Sequence, residues 1–122
     1  MEQFHKNLDV WKVSMELVID IYKHIQRFPK VEQYSLSDQL RRAAISIPSN
    51  IAEGSARNTF KEKIQFLYIA RGSCAELDTQ IHIAKNLHYI SEEEYDTLNE
   101  KNIRVGQMLT RFISSLKKKN EE

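Results

Sequence analysis

The residues that could act as a nucleophile or a base are few in this sequence. Nucleophilic catalysis requires a base beside a serine or a cysteine. The single cysteine, Cys74, falls on the apolar stripe of a predicted helix, where a cysteine behaves as a small hydrophobic residue. The four histidines are His5, His24, His82 and His88. We therefore predict no catalytic residue and expect that the protein is not an enzyme.

A metal ion or a nucleotide cofactor is not expected either. A di-iron site in a four-helix bundle needs two Glu-x-x-His pairs and two further glutamates, and the sequence has one such pair, Glu2 with His5. His82 and His88 are six residues apart, which places them on different faces of a helix. One cysteine excludes a cysteine-based zinc site, and the sequence contains neither a G-x-G-x-x-G motif nor a P-loop.

Positive charge is segregated along the chain, although the net charge is only +1. Residues 41–71 contain six cations and two acids, and residues 101–119 contain six cations and no acid. A basic face of this kind can contact nucleic acid; the alternative is that these cations only keep the outer helix faces hydrated. For Arg71, beside an apolar stripe, we predict an ion pair with Asp or Glu. The candidate nucleic-acid-binding residues are Arg41, Arg42, Arg57, Lys61 and Lys63.

Four amphipathic segments must position these charges. Apolar residues recur at alternating spacings of three and four over residues of about 8–28, 35–56, 59–88 and 91–118, which is typical of packed helices. Thr59 and Ser91 have the spacing of capping boxes at the starts of the last two. Three glycines and two prolines are too few for the turns of a β-sandwich of 122 residues. Because the links are short, we predict an all-α, antiparallel up-down-up-down four-helix bundle that forms a single domain over residues 1–122.

Pro48 lies inside the second predicted helix. An internal proline removes one backbone hydrogen bond and costs about 3 kcal/mol, so we expect a kink or a break at this point. Ser46, Ser49 and Asn50 are close enough to satisfy the freed backbone groups, and we expect this stretch to direct polar atoms toward a neighbouring element.

Two further residues interrupt the apolar pattern. Asn102 lies in the apolar seam of the fourth helix. Either it finds a backbone partner in the core, which we favour, or it specifies the register or the oligomeric state. Gly72 lies among small residues in the third helix, and a glycine inside a helix indicates that a neighbouring backbone approaches closely.

The first helix carries more apolar surface than one bundle needs. One stripe, which we assign to the core of the bundle, contains Leu8, Trp11, Met15, Val18, Tyr22 and Ile25. A second stripe lies beside it, and one isoleucine of the second helix projects away from the core. Burial of such side chains yields about 1.5–3 kcal/mol each, so we predict a symmetric homo-oligomer. The candidate interface residues are Val10, Val13, Leu17, Ile21 and Ile45.

Targeting signals are not recognisable in the sequence. Residues 1–12 lack the apolar segment of a signal peptide, and no run approaches the ~20 apolar residues of a membrane span. One free cysteine is compatible with a reducing compartment. We therefore expect a cytoplasmic protein without a membrane partner.

Two sequence blocks resemble a known family. Residues 40–54 read Leu-Arg-Arg-Ala-Ala-Ile-Ser-Ile-Pro-Ser-Asn-Ile-Ala-Glu-Gly, followed by Arg57, and residues 66–73 read Phe-Leu-Tyr-Ile-Ala-Arg-Gly-Ser, followed by Glu76 and Leu77. Trp11 and the connection at residues 87–90 fit the same pattern. The blocks are similar to those of the four-helix-bundle proteins encoded in 23S rRNA intervening sequences, and the resemblance covers nearly the whole chain.

That resemblance implies a bacterial, cytoplasmic bundle that assembles into a ring of five. It also implies kinship with the accessory variability determinant of diversity-generating retroelements, a basic pentamer that works with a reverse transcriptase and its RNA. The family is not known for an enzyme activity. The first hypothesis is therefore a homopentamer whose basic face binds RNA or a ribonucleoprotein. The alternative is a scaffold that recruits a partner protein and has no nucleic-acid role.

Overall fold

The computed structural model describes residues 4–122, and no strand occurs in this part of the chain. The four long helices are α1 (Asp9–Ile25), α2 (Leu36–Ser55), α3 (Phe60–Asn86) and α4 (Glu92–Glu121), and short 3-10 helices lie at Phe4–Asn7 and Lys30–Glu32. The prediction of an all-helical fold with four helices is confirmed. α1 ends three residues earlier than predicted, because Arg27 and Phe28 already make i to i−3 turn hydrogen bonds ahead of Pro29.

Each helix packs against its neighbours in the chain, and α1 also packs against α4. The diagonal pairs, α1 with α3 and α2 with α4, have no Cα atoms within 8 Å of each other, and side chains of all four helices fill one shared core between them. Ion pairs connect α1, and the turn that follows it, to α4. Arg27, just after α1, contacts Glu94 in the first turn of α4, and Asp20 binds Lys101 further along α4 at 2.7 Å.

Thr59 and Ser91 cap the starts of α3 and α4, and the predicted capping box is complete only at α4. Ser91 and Glu94 form a complete capping box at α4. At α3 the Thr59 hydroxyl oxygen accepts a hydrogen bond from the Glu62 N–H, whereas the Glu62 carboxylate accepts from the Thr59 hydroxyl and not from its N–H. The cap of α3 is therefore half a capping box.

The stripe of α1 that the sequence assigns to an oligomer interface forms the core of this single chain. The buried residues of this stripe are Val10, Val13, Leu17 and Ile21. Trp11, Met15 and Tyr22, from the stripe assigned to the core, are half-buried at its margin. The interface prediction is wrong for those four buried residues, because spacing identifies an apolar stripe but not the neighbour that covers it. Of the predicted interface only Ile45 is exposed, at 42%.

Pro48 is buried inside α2, and the helix continues through it, so the chain is not broken there. The Asn50 side-chain N–H donates to both the carbonyl and the hydroxyl oxygen of Ser46, at 2.8 and 2.9 Å. The Ser73 hydroxyl of α3 donates to the same Ser46 hydroxyl oxygen at 2.8 Å. The expected polar contact with a neighbouring helix is therefore present, whereas the kink stays a prediction.

Asn102 has the core partner that we favour. Its side-chain N–H donates a 2.9 Å hydrogen bond to the Cys74 carbonyl oxygen of α3. The expectation for Gly72 is wrong, because a Cβ atom there would meet nothing within 4 Å.

None of the described helices has both the length and the apolarity needed to cross a bilayer.

Candidate nucleic-acid interface

Arg41 and Arg42 share one carboxylate near the start of α2. Arg42 Nε lies 2.8 Å from one oxygen of Asp38, and the Arg41 guanidinium lies 3.6 Å from the other. Arg41 also donates to the Gln33 carbonyl oxygen at 2.9 Å. The hydrogen bond from Arg42 lowers the pKa of Asp38 below its ordinary value of 3.8. Asp38 is therefore ionised at neutral pH and offsets part of the positive charge of both arginines.

Arg57 lies beyond the other end of α2, about 22 Å from Arg42 at 1.5 Å of helix rise per residue. Its guanidinium is 3.1 Å from the Glu53 carboxylate one turn earlier, and it lies 4.7 Å from the centroid of the Phe66 ring. The five predicted residues therefore do not form one continuous face. Arg41 and Arg42 are separated from the other three by most of the length of α2.

The corner between α2 and α3 holds the other three predicted residues, Arg57, Lys61 and Lys63. A Cβ atom on Gly54 would lie 3.2 Å from the Lys63 carbonyl oxygen, so the glycine permits this close approach of the two helices. The Lys63 ammonium group donates to the Ser55 carbonyl oxygen at 3.1 Å, where the helix dipole of α2 favours a cation. Lys61 is exposed on the first turn of α3.

The carboxyl end of α4 reaches the same corner. A cavity of about 340 Å³ lies there, and both Lys63 and Lys119 line it. We call the cations at this end of the bundle the basic end: Arg57, Lys61 and Lys63 at the α2–α3 corner, and Lys117, Lys118 and Lys119 near the end of α4. Four acids, Glu53, Glu62, Glu121 and Glu122, lie at the same end. Sequence reasoning did not bring these two groups together, because they are more than fifty residues apart in the chain. The sequence feature that could have pointed to the lysines of α4 was the stretch at residues 101–119, which contains six cations and no acid.

Arg71 does not have the predicted carboxylate partner among the ion pairs of residues 4–122. Its guanidinium lies 4.9 Å from the centroid of the Tyr68 ring, and it donates a long, 3.4 Å hydrogen bond to the Thr110 hydroxyl of α4. The Lys117 ammonium group lies 5.2 Å from the same ring centroid. Arg71 therefore belongs to an aromatic and cationic cluster that links α3 to α4.

The opposite end of the bundle carries a group of carboxylates, together with Arg27, Arg41 and Arg42, which pair with two of them. We call it the acidic end, formed by Glu32, Asp38, Glu92, Glu93 and Glu94. The Ser91 N–H and the Arg27 guanidinium both donate to the Glu94 carboxylate, and they lower its pKa to about 2. The Glu32 carboxylate accepts a 2.8 Å hydrogen bond from the Tyr89 hydroxyl. Arg41 and Arg42, bound to Asp38, lie at this end of the molecule.

The Cys74 thiol is buried, and burial raises its pKa to about 12. It is therefore protonated at neutral pH and lacks the thiolate that a nucleophile needs. Among residues 4–122, no group of three or more His, Cys, Asp or Glu residues is placed to hold a metal ion.

A family model described as 23S rRNA-intervening sequence protein matches residues 6–111. A solved structure, a protein of unknown function of the S23 ribosomal protein family from Bacteroides thetaiotaomicron, is similar with a TM-score of 0.77 and 24% sequence identity. The similarity covers 85% of this chain and 97% of the other. No curated protein matches the chain. At this identity the solved structure supports the fold alone.

Proposed function

Because the chain belongs to the 23S rRNA-intervening sequence protein family, we propose that it is a non-enzymatic bundle that binds RNA through its basic end. One observation carries the proposal. Of the six cations of the basic end, only Arg57 forms an ion pair with a carboxylate of the described residues. Cations without a carboxylate partner are free to neutralise phosphate groups and to release the counterions of the RNA.

The six residues of the basic end do not contribute equally in this proposal. Lys61, Lys117, Lys118 and Lys119 are exposed, and they supply most of the contact with phosphate. Lys63 is held by the Ser55 carbonyl oxygen, and Arg57 by Glu53. Arg41 and Arg42, which the sequence placed in the same face, would have to leave Asp38 before they could bind RNA.

We propose further that the bundle is antiparallel and assembles in the cytoplasm into a homopentamer. The antiparallel order is supported by ion pairs to α4: Arg27, just after α1, binds Glu94 at the start of α4, whereas Asp20, earlier in α1, binds Lys101 further along it. Assembly is supported by large exposed apolar residues on adjacent helices, Ile45 of α2 and Ile69 of α3. A ring repeats the basic end on each subunit, and linked sites can gain about 10²–10⁴ in avidity.

The test compares charge reversals at the two ends of the bundle. Fluorescence anisotropy with a labelled single-stranded oligouridylate measures the affinity at low salt. Lys61→Glu with Lys118→Glu should weaken binding by about tenfold or more, because two phosphate contacts become repulsive. The matched control is Lys23→Glu with Lys30→Glu, which changes the net charge equally near the acidic end and should leave the affinity within about twofold.

The outcome also decides between the two hypotheses. If the wild-type protein does not bind RNA at low salt, or if both double variants bind as the wild type does, then the cations only hydrate the surface. The scaffold that recruits a partner protein then becomes the better account of the molecule.

A further inference from the structure

Two cations from different helices converge on one aromatic ring. The ring and one of the cations do not belong to the basic end. Arg71 of α3 and Lys117 of α4 lie 4.9 and 5.2 Å from the centroid of the Tyr68 ring. Their charged groups are therefore at most about 10 Å apart. Each is attracted to the ring by a cation–π interaction, but the two cations repel each other, and an anion bound close to both would reduce that repulsion.

The Arg71 guanidinium makes two contacts within the chain. It lies against the ring of Tyr68, and the Thr110 hydroxyl oxygen accepts a hydrogen bond from it. The Thr110 hydroxyl in turn donates to the Gly106 carbonyl oxygen at 3.1 Å, which orients it as an acceptor for Arg71. The guanidinium is thus positioned by contacts that do not neutralise its charge.

A shallow trough between α3 and α4 begins at this cluster. Its lining residues are Arg71, Ile103, Gly106, Gln107, Thr110 and Arg111. None of the six carries a carboxylate, whereas two are arginines and two are uncharged hydrogen-bonding residues. No ion pair within residues 4–122 involves Arg71, Arg111 or Lys117. The trough therefore favours a negatively charged ligand.

We propose that Tyr68, Arg71 and Lys117 form a phosphate clamp for the backbone of RNA, and that the trough carries the strand along α3 and α4. The inference rests on the proposed function, and it adds a second contact site that shares Lys117 with the basic end. The guanidinium binds two oxygens of one phosphate group, while the ammonium group neutralises the same phosphate or the next. Tyr68 positions the two cations. The clamp contacts phosphate and not the base edges, so it does not select a sequence.

The decisive variant carries no change of charge. Tyr68→Leu removes the ring that positions the two cations, and the affinity for a labelled single-stranded oligouridylate should fall by about two- to fivefold. Tyr68→Phe keeps the ring and should bind as the wild type does. Arg71→Gln should reduce the slope of log K against log salt by about 0.7, the contribution of one phosphate on a single strand. Lys23→Gln, the control with an equal change of charge, should leave the slope unchanged.

Three outcomes would overturn the clamp. If Tyr68→Leu and Arg71→Gln bind as the wild type does, while Lys61→Glu with Lys118→Glu loses affinity, the clamp is wrong and the basic end stands. If the wild type does not bind oligouridylate, both proposals fail together. If phosphatidylserine vesicles bind through Arg71 and oligouridylate does not, the ligand is a membrane surface and not RNA. Circular dichroism melting of each variant shows that a lost affinity is not a lost fold.

Discussion

The two ends of the bundle both concentrate charge, but their charged groups have different partners. At the acidic end the Glu94 carboxylate binds Arg27, and Asp38 binds two arginines of its own helix. At the basic end three consecutive lysines lie in the last two turns of α4, ahead of Glu121 and Glu122, and no acid occurs between residues 101 and 119. Glu94 and Asp38 of the acidic end are therefore in ion pairs within the chain, whereas five of the six cations of the basic end have no ion pair among the described residues.

This difference shows how the local sequence decides whether a cation is available. Arg42 and Arg57 each follow an acid by four residues in the same helix, and that spacing places the two side chains side by side. Arg71, Arg111 and Lys117 have no ion pair in the described part of the chain. A count of cations along a segment overestimates a binding surface wherever acids recur at helical spacing.

The largest expected effect is on stability at the basic end. In Gly54→Ala the new Cβ atom would lie 3.1 Å from the Phe66 Cβ atom and 3.2 Å from the Lys63 carbonyl oxygen, so α2 and α3 must separate. We expect a loss of about 1–3 kcal/mol in the free energy of unfolding, measured by urea denaturation.

Gly72→Ala is the matched control for that prediction. A Cβ atom at Gly72 meets nothing within 4 Å, so the higher helix propensity of alanine should stabilise the protein by up to about 1 kcal/mol. Equal effects of the two substitutions would show that the close approach of α2 and α3 does not require a glycine at position 54.

A smaller effect is expected from the acidic end at low pH. The Ser91 N–H and Arg27 hold the pKa of Glu94 at about 2, below its ordinary value of 4.5. The stabilisation is complete above the pKa of the unfolded chain, and it disappears as the pH falls from 4.5 toward 2. Glu94→Gln removes the charge of the carboxylate but keeps the hydrogen-bonding shape of the cap. Because the stabilising charge is lost, the melting temperature of the variant should be lower than that of the wild type at neutral pH.

The difference between the two melting temperatures should narrow as the pH decreases and should vanish near pH 2. Thermal unfolding followed by circular dichroism across this range measures it. A difference that is independent of pH would mean that the Glu94 charge does not stabilise the acidic end.

The smallest effect is a gain of RNA affinity at the acidic end. Asp38→Asn removes the carboxylate that Arg41 and Arg42 share, and both arginines become available for phosphate. Because an exposed ion pair is worth about 0–1 kcal/mol, the gain should be less than about fivefold in anisotropy titrations. Arg42→Gln should change RNA affinity little, and a large loss in that variant would show that the paired arginines bind RNA after all.

The helices could be predicted from the sequence because their signals are local. The spacing of apolar residues and the caps at Thr59 and Ser91 depend on neighbours within one or two turns. The role of the stripes in α1 could not be predicted in the same way. Val13 and Leu17 are covered by other helices of the same chain, and periodicity does not reveal which surface lies opposite.

The candidate site was predictable only in part for the same reason. Lys61 and Lys63 were singled out because cations outnumber acids over residues 41–71. Their proximity to Lys119 comes from packing between helices that are distant in the chain. Tyr68 was read as part of a family block and not as a ring that holds cations, because its contact with Lys117 of α4 exists only in the folded protein.

The salt dependence of RNA binding by the wild-type protein tests the central claim most directly. Anisotropy titrations with single-stranded oligouridylate between about 50 and 200 mM salt give the slope of log K against log salt. If Lys61, Lys117, Lys118 and Lys119 each neutralise one phosphate, one protomer contributes a slope of about −2.8. Binding at low salt that is largely lost at the higher concentration supports the claim. An affinity that does not change with salt, or no binding at low salt, would contradict it.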